Sequence, residues 1–267
     1  MIPIENRSLV EDRHVVQFQK WLHEIIPNAD VILTISKHSR HALLELAADA
    51  GWSLPRVEVV RLGADLSRRP VAASQRKLRF SQPYVLFVST IEIRKNHRLL
   101  VRVWQRLIER HGADAVPVLI FAGQIGWMVE DLLVDLAASG YLGGKIAHMP
   151  DLSDEELGDA YRCCLFTLFP SFCEGWGLPI AESLAYGKFC VASNRTSIPE
   201  VGGDLIDYFD PSSDEDALAK IERVLFEPGY LAAREARLRA EYRPRTWAEC
   251  AHALIRKLDR SVAAAKE

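Results

Sequence analysis

From residue 84 onward, short apolar runs recur along the chain: Tyr84-Val-Leu-Phe-Val88, Val118-Leu-Ile-Phe121, Lys145-Ile-Ala-His148, Leu165-Phe-Thr-Leu-Phe169, Phe189-Cys-Val-Ala192 and Asp207-Tyr-Phe209. Stretches with helical spacing separate most of them. Unbroken apolar runs suit strands buried on both faces, and strands alternating with helices predict a doubly wound parallel α/β sheet. In the dinucleotide-binding strand order, the first and fourth strands are neighbours at a switch point, and ligands sit in the crevice outside their carboxyl ends. The pattern before residue 80 differs. Val15 to Ile26 has helical spacing, Asp30 to Ser36 is an expected strand, Ser36 can cap a helix running to about Ala50, and Val57 to Arg61 is a second short strand. At the far end, Asp214 to Phe226 and Tyr230 to Tyr242 are expected helices, and Thr246 to Leu258 is amphipathic.

Two segments at the predicted crevice carry chemistry. After the fourth apolar run comes Pro170-Ser-Phe-Cys-Glu174-Gly-Trp-Gly-Leu-Pro-Ile-Ala-Glu182, with two carboxylates eight positions apart around a glycine-rich entry to a helix. Gly175 and Gly177 allow a tight turn, and Pro179 suits the start of a helix, where its missing N–H costs nothing. Such a helix start offers free N–H groups to phosphate oxygens. Glu174 and Glu182 can only accept hydrogen bonds, so they suit the hydroxyls of a sugar or ribose. The first run leads into Val88-Ser-Thr-Ile-Glu-Ile-Arg-Lys-Asn96, which places Arg94 and Lys95 beside the same crevice. A fixed cation there stabilises negative charge on a bound group. The bland readings are a glutamate complementing a helix dipole and a solvated Arg-Lys pair. Convergence of the two segments on one crevice favours the chemical reading.

Composition changes the picture little. The chain has 267 residues, 49% hydrophobic and 26% charged, with 33 basic against 36 acidic side chains, so nothing marks it for nucleic acid or an anionic membrane. No apolar stretch reaches the length of a membrane span and Met1-Ile-Pro-Ile-Glu-Asn-Arg7 lacks a signal-peptide core, so a cytoplasmic location is expected. Five cysteines, Cys163, Cys164, Cys173, Cys190 and Cys250, have no metal-ligand spacing and are expected as reduced thiols. Cys173 borders the site without an identifiable activating base.

The run from Glu174 to Glu182 resembles the donor-site signature of retaining glycosyltransferases with the GT-B fold (family 4-like, the mannosyl- and glucosyltransferase group), with Trp176 where Phe is usual. Tyr186-Gly-Lys-Phe-Cys-Val-Ala-Ser193 and Ile198-Pro-Glu-Val-Gly-Gly203 resemble that family too. So does the Ser89 to Asn96 loop, with Ser89 in place of Gly and Ile93 in place of Pro. The resemblance implies catalytic roles for Glu174, Lys95 and Arg94. It implies donor binding by Glu182, Gly175, Trp176, Gly177 and Leu178, and by His148 and Met149 on the base side. His148 has an equal alternative as a strand-end residue satisfied by backbone, and Glu200 is either a helix cap or a ligand contact. The implied reaction moves a hexose, mannose being one candidate, from a nucleotide-sugar with retention in surface polysaccharide assembly. No metal or other cofactor is required. The implied acceptor is a glycan or lipid-linked glycan, with no nucleic acid partner and with room for peripheral attachment at the inner face of the membrane.

The segment Ala29 to Arg40 followed by Val57 to Asp65 resembles the end of the family's acceptor-side domain. The expected organisation is therefore a remnant of that Rossmann-like N-terminal domain at 1–65 and a linker at 66–82. A donor-binding domain follows at 83–245, with a C-terminal helix at 246–267 crossing back to the front. On that organisation the alternative is a truncated donor-binding module, inactive alone or completed by a separate N-terminal chain.

Overall fold

A computed structural model describes residues 1–65 and 82–264. The stretch expected as a linker falls outside the described residues except for Gln82. The front of the chain forms α1 (Ile2–Glu5), α2 (Asp12–Ile25), β1 (Val31–Thr34), α3 (Lys37–Ala50) and β2 (Arg56–Val59). The two strands pair in parallel, Val31 opposite Arg56 through Thr34 opposite Val59. Ser36 caps α3 as its sequence position suggests, its hydroxyl accepting from the Ser39 N–H at 3.0 Å. Leu22, Ile26 and Leu43 form a small core of their own.

Beyond residue 82 the elements are β3 (Tyr84–Val88), α4 (His97–His111), β4 (Val118–Ala122), α5 (Glu130–Ala138), α6 (Gly140–Gly144), β5 (Ile146–Met149), α7 (Asp154–Cys163) and β6 (Thr167–Phe169). They continue as α8 (Leu178–Ala185), β7 (Cys190–Ser193), α9 (Ile198–Gly202), β8 (Asp207–Phe209), α10 (Asp214–Phe226), α11 (Tyr230–Glu241) and α12 (Trp247–Ala264). The strands form one six-stranded parallel sheet in the order β5-β4-β3-β6-β7-β8. This is the doubly wound α/β arrangement anticipated from the apolar rhythm, with the chain's direction of travel across the sheet reversing between β3 and β6.

Strands β3 and β4 carry no charged or small polar side chain because both faces are covered. Val85, Phe87, Leu119 and Phe121 pack with Leu99, Leu100, Val103 and Trp104 of α4, whereas their alternating neighbours Tyr84, Leu86, Ile120 and Ala122 pack with Ala160 and Tyr161 of α7. Strand limits shift by a residue or two. Leu165 and Phe166 precede β6, yet they already bond to β3: the Leu165 N–H donates to Tyr84 O at 2.8 Å and the Leu86 N–H to Phe166 O at 3.1 Å. The C-terminal helix contacts the front of the chain. The Trp247 N–H donates to Asp65 at 3.0 Å and Lys257 pairs with Glu58. Gly63 lies so close to the Thr246–Trp247 backbone that a Cβ would stand 2.5 Å from the Trp247 nitrogen.

Candidate functional site

The two chemically interesting loops leave adjacent strands, since β3 and β6 pair with Leu86 opposite Thr167. A close backbone approach holds the first loop down: a Cβ on Gly123 would lie 2.2 Å from Ser89 O, so only glycine fits there. Ser89, standing where the resemblance expects Gly, is buried and places its hydroxyl 3.3 Å from His97 Nε2. Ile93, standing where Pro is usual, donates its N–H to Trp127 O, a bond proline cannot make. A single turn at Ile93–Lys95 follows, ended by Asn96 in the left-handed region (φ 58°). The Asn96 amide donates to Pro170 O at 3.3 Å and Pro211 O at 3.0 Å, and the Phe172 N–H donates to Arg94 O at 2.9 Å. These ties turn Arg94 and Lys95 toward the loop after β6.

There the chain assembles two cations and two carboxylates. Lys95 Nζ lies 2.6 Å from Glu174 Oε1 and Arg94 Nη1 lies 2.9 Å from Glu174 Oε2. Arg94 Nη2 reaches Glu92 Oε1 at 2.5 Å, while Nη1 also donates to Cys173 O at 2.8 Å. The side chains are 14% exposed for Arg94, 12% for Lys95 and 9% for Glu174, so solvent screens the cluster weakly. Burial pushes the Glu92 carboxyl above its ordinary value, although Arg94 and Lys95 oppose that. Burial works to lower Arg94, and the Glu174 and Glu92 carboxylates outweigh it, leaving the guanidinium above its ordinary value. Burial raises the Cys173 thiol to about 12, which is no state for a nucleophile.

The second loop presents backbone donors. Gly177, at φ 122°, turns the chain into α8. The Glu174 N–H is taken by the Thr196 hydroxyl at 2.9 Å, and the Ser197 hydroxyl bonds the carbonyls of Glu174 (2.8 Å) and Trp176 (3.1 Å). By contrast, the N–H groups of Gly175, Trp176, Gly177 and Leu178 have no hydrogen-bond partner among the described residues. Four successive unpaired donors beside a lysine and an arginine make a cradle for anionic oxygen. Ile35, just beyond β1, faces this loop from the front of the chain, 3.4 Å from where a Gly175 Cβ would be. Trp176 is buried, and its indole N–H has no partner.

Glu182 sits one turn into α8. Its Oε2 accepts from the Tyr161 hydroxyl at 2.9 Å, and burial raises its carboxyl above the ordinary value against the effect of that bond. His148 and Met149 end β5, which β4 separates from β3. His148 Nε2 lies 2.8 Å from Gly123 O, so its ring nitrogen is a donor satisfied by backbone, and Met149 packs on the Leu86–Tyr161 side of the sheet. Glu200 caps a helix distant in sequence: its carboxylate accepts from the N–H groups of Lys37 (2.9 Å) and His38 (2.8 Å) at the start of α3. A cavity of about 970 Å³ opens between α4 and α5, lined among others by Glu92, His97, Arg98 and Asp135; Arg94, Lys95 and Glu174 are not part of its wall.

Sequence reasoning missed four contributors: Glu92 as the partner of Arg94, Tyr161 as that of Glu182, and the Thr196–Ser197 pair that shapes the loop after β6. Glu92 was legible as an acidic residue two positions from Arg94. The others come from elements far along the chain and leave no local signal. Among the described residues, no group of His, Cys, Asp and Glu side chains is placed to hold a metal ion, and no helix is long and apolar enough to cross a membrane.

A family model described as Glycosyl transferases group 1 matches residues 71–245. The chain is 32% identical over 238 residues to O-antigen chain mannosyltransferase B of Escherichia coli, a match covering 87% of this chain and 61% of that protein. It is 25% identical over 272 residues to the serotype-specific mannosyltransferase WbdA of Escherichia coli, covering all of this chain and 33% of that protein. The chain thus spans between a third and three-fifths of these relatives. Among solved structures, the alpha,alpha-trehalose 6-phosphate synthase of Burkholderia multivorans superimposes with a TM-score of 0.70 at 16% identity, covering 95% of this chain and 63% of that one. The chain belongs to the group 1 glycosyltransferases and has their GT-B type of fold.

Proposed function

We propose that this group 1 glycosyltransferase chain binds a nucleotide-sugar in the crevice between the loops after β3 and β6 and transfers its hexose with retention to a glycan or lipid-linked glycan. Two of the relatives are named as mannosyltransferases, one of O-antigen chains, which favours mannose and surface polysaccharide assembly. The observation that carries the reading is the Lys95–Glu174 pair lying beside the four unpaired N–H groups from Gly175 to Leu178.

On this reading the diphosphate lies against those N–H groups and the Lys95 ammonium, with Arg94 held behind by Glu92. Breaking the glycosidic bond to the nucleotide leaves negative charge on the departing diphosphate, and fixed donors and cations in a weakly screened site stabilise that charge without reorganising. Glu174 releases Lys95 to the diphosphate and turns its oxygens to the hexose hydroxyls. Glu182 offers Oε1 to the ribose. The acceptor hydroxyl attacks the anomeric carbon from the face the diphosphate leaves and passes its proton to the departing diphosphate oxygen, giving retention with no protein nucleophile. The reading assigns no metal or other cofactor.

The test is product analysis: the purified protein is incubated with a panel of nucleoside diphosphate hexoses and an oligomannoside acceptor, and the new linkage is read by NMR. Transfer with the donor's anomeric configuration kept supports the proposal. Inverted product contradicts retention, and a donor that binds without transfer contradicts the catalytic half.

A further inference from the structure

We infer that Tyr161 is a positioning residue for recognition of the donor's ribose, acting through Glu182. The inference deepens the reading of Glu182 as the ribose-binding carboxylate and rests on it. Tyr161 comes from α7, on the opposite side of β6 in sequence from the donor loop, and is 1% exposed. Its hydroxyl reaches Glu182 Oε2 at 2.9 Å, with Pro179 O at 3.4 Å as a second acceptor at the start of α8. The ring cannot swing away, because it stacks on Tyr186 at 5.3 Å between centroids and an interplanar angle of 12°, and Arg162 covers Tyr186 in turn.

The consequence for Glu182 follows from counting lone pairs. Oε2 is committed to Tyr161, while Oε1 has no hydrogen-bond partner among the described residues. A carboxylate with one oxygen tied down by a phenol presents the other in a fixed direction, and a ribose with neighbouring hydroxyls is the donor part suited to it. Without the phenol, a glutamate on the first turns of a helix samples several rotamers and loses that direction. Tyr161 also lines, with Val88, Phe169 and Pro179, a small gap beside β3 and β6, which places its ring next to the switch point. The titratable groups facing Glu182 are Tyr161 and Asp154 from α7 and Tyr186 from the end of α8.

The experiment measures affinity by calorimetry for the nucleoside diphosphate the wild type binds best, for its 2′,3′-dideoxy analogue, and for inorganic pyrophosphate, in wild type, Tyr161→Phe, Glu182→Gln and the double variant. Tyr161→Phe is expected to lower the preference for ribose over dideoxyribose about tenfold, the scale of one charge-assisted hydrogen bond, with pyrophosphate affinity unchanged. The double variant should lose no more than Glu182→Gln alone. In Tyr161→Phe the ribose preference should also begin to fall at a higher pH than in wild type, because the bond that favours the Glu182 carboxylate is gone. Should Tyr161→Phe not fold, 3-fluorotyrosine at position 161 keeps the shape and strengthens the donor, and must change the ribose preference. An unchanged preference in either Tyr161 variant, or losses that add in the double variant, overturns the inference. A Glu182→Gln protein that keeps full ribose preference overturns instead the reading on which it rests.

Discussion

Lys95 Nζ and Glu174 Oε1 lie 2.6 Å apart although 79 residues separate them in the chain. The cation that suits a diphosphate is thus paired with the carboxylate that suits a sugar. A ligand that brings only phosphate must separate the two. One that brings phosphate and hexose gives each a new partner.

That arrangement predicts opposite signs for two ligands. Glu174→Gln should bind a bare nucleoside diphosphate at least as tightly as wild type, because Lys95 is no longer competed for. It should bind the intact nucleotide-sugar about tenfold or more weakly, the worth of hydrogen bonds to a charged acceptor. Isothermal titration with both ligands decides; equal losses for the two contradict the division of roles.

How much of this was legible in the sequence depends on distance along the chain. The rhythm of apolar runs was enough to anticipate the sheet, and the strand order then brought Arg94 and Lys95 beside Glu174. Local bonds did the same for the Ser36 cap. What escaped were partners supplied by packing: the phenol of Tyr161 on Glu182, the hydroxyl of Thr196 on the Glu174 N–H, and the Glu200 carboxylate on α3. A glutamate and a tyrosine 21 residues apart share no periodicity, so only the fold pairs them. His148 carried two equal readings from its place after the third strand, a base contact and a strand-end residue satisfied by backbone, and its Nε2 bonds the Gly123 carbonyl.

A second prediction concerns stability against acid. His97 is 1% exposed, and burial, helped by Lys95 and His148, pushes its imidazole from 6.5 down to about 3. The native state therefore stays neutral while the unfolded chain takes up a proton below pH 6.5, so stability is full above 6.5 and is lost as pH falls toward 3. His97→Phe keeps the ring contacts with Phe87 (4.5 Å) and Phe121 (4.8 Å). Between pH 4.5 and 5.5 its unfolding free energy should depend less steeply on pH, by about 1.4 kcal/mol per pH unit. Urea titrations across that range check it, and parallel slopes for the two proteins would refute it.

A third addresses Glu200. Its carboxylate takes two N–H groups that α3 cannot satisfy internally, and the contact joins α3 to α9. Glu200→Ala should cost about 1–2 kcal/mol, the range for losing a helix cap. Hydrogen exchange at the Lys37 and His38 amides should quicken. Unchanged protection at those amides would mean that the contact carries no stability.

Titrating nucleoside diphosphates into wild type and Lys95→Ala at low salt asks whether the crevice between the β3 and β6 loops holds the donor's diphosphate. Wild type should bind saturably, and the folded variant should lose about 1.5–3 kcal/mol, the value of a charge-assisted contact. Undiminished affinity in a folded Lys95→Ala protein would contradict that placement.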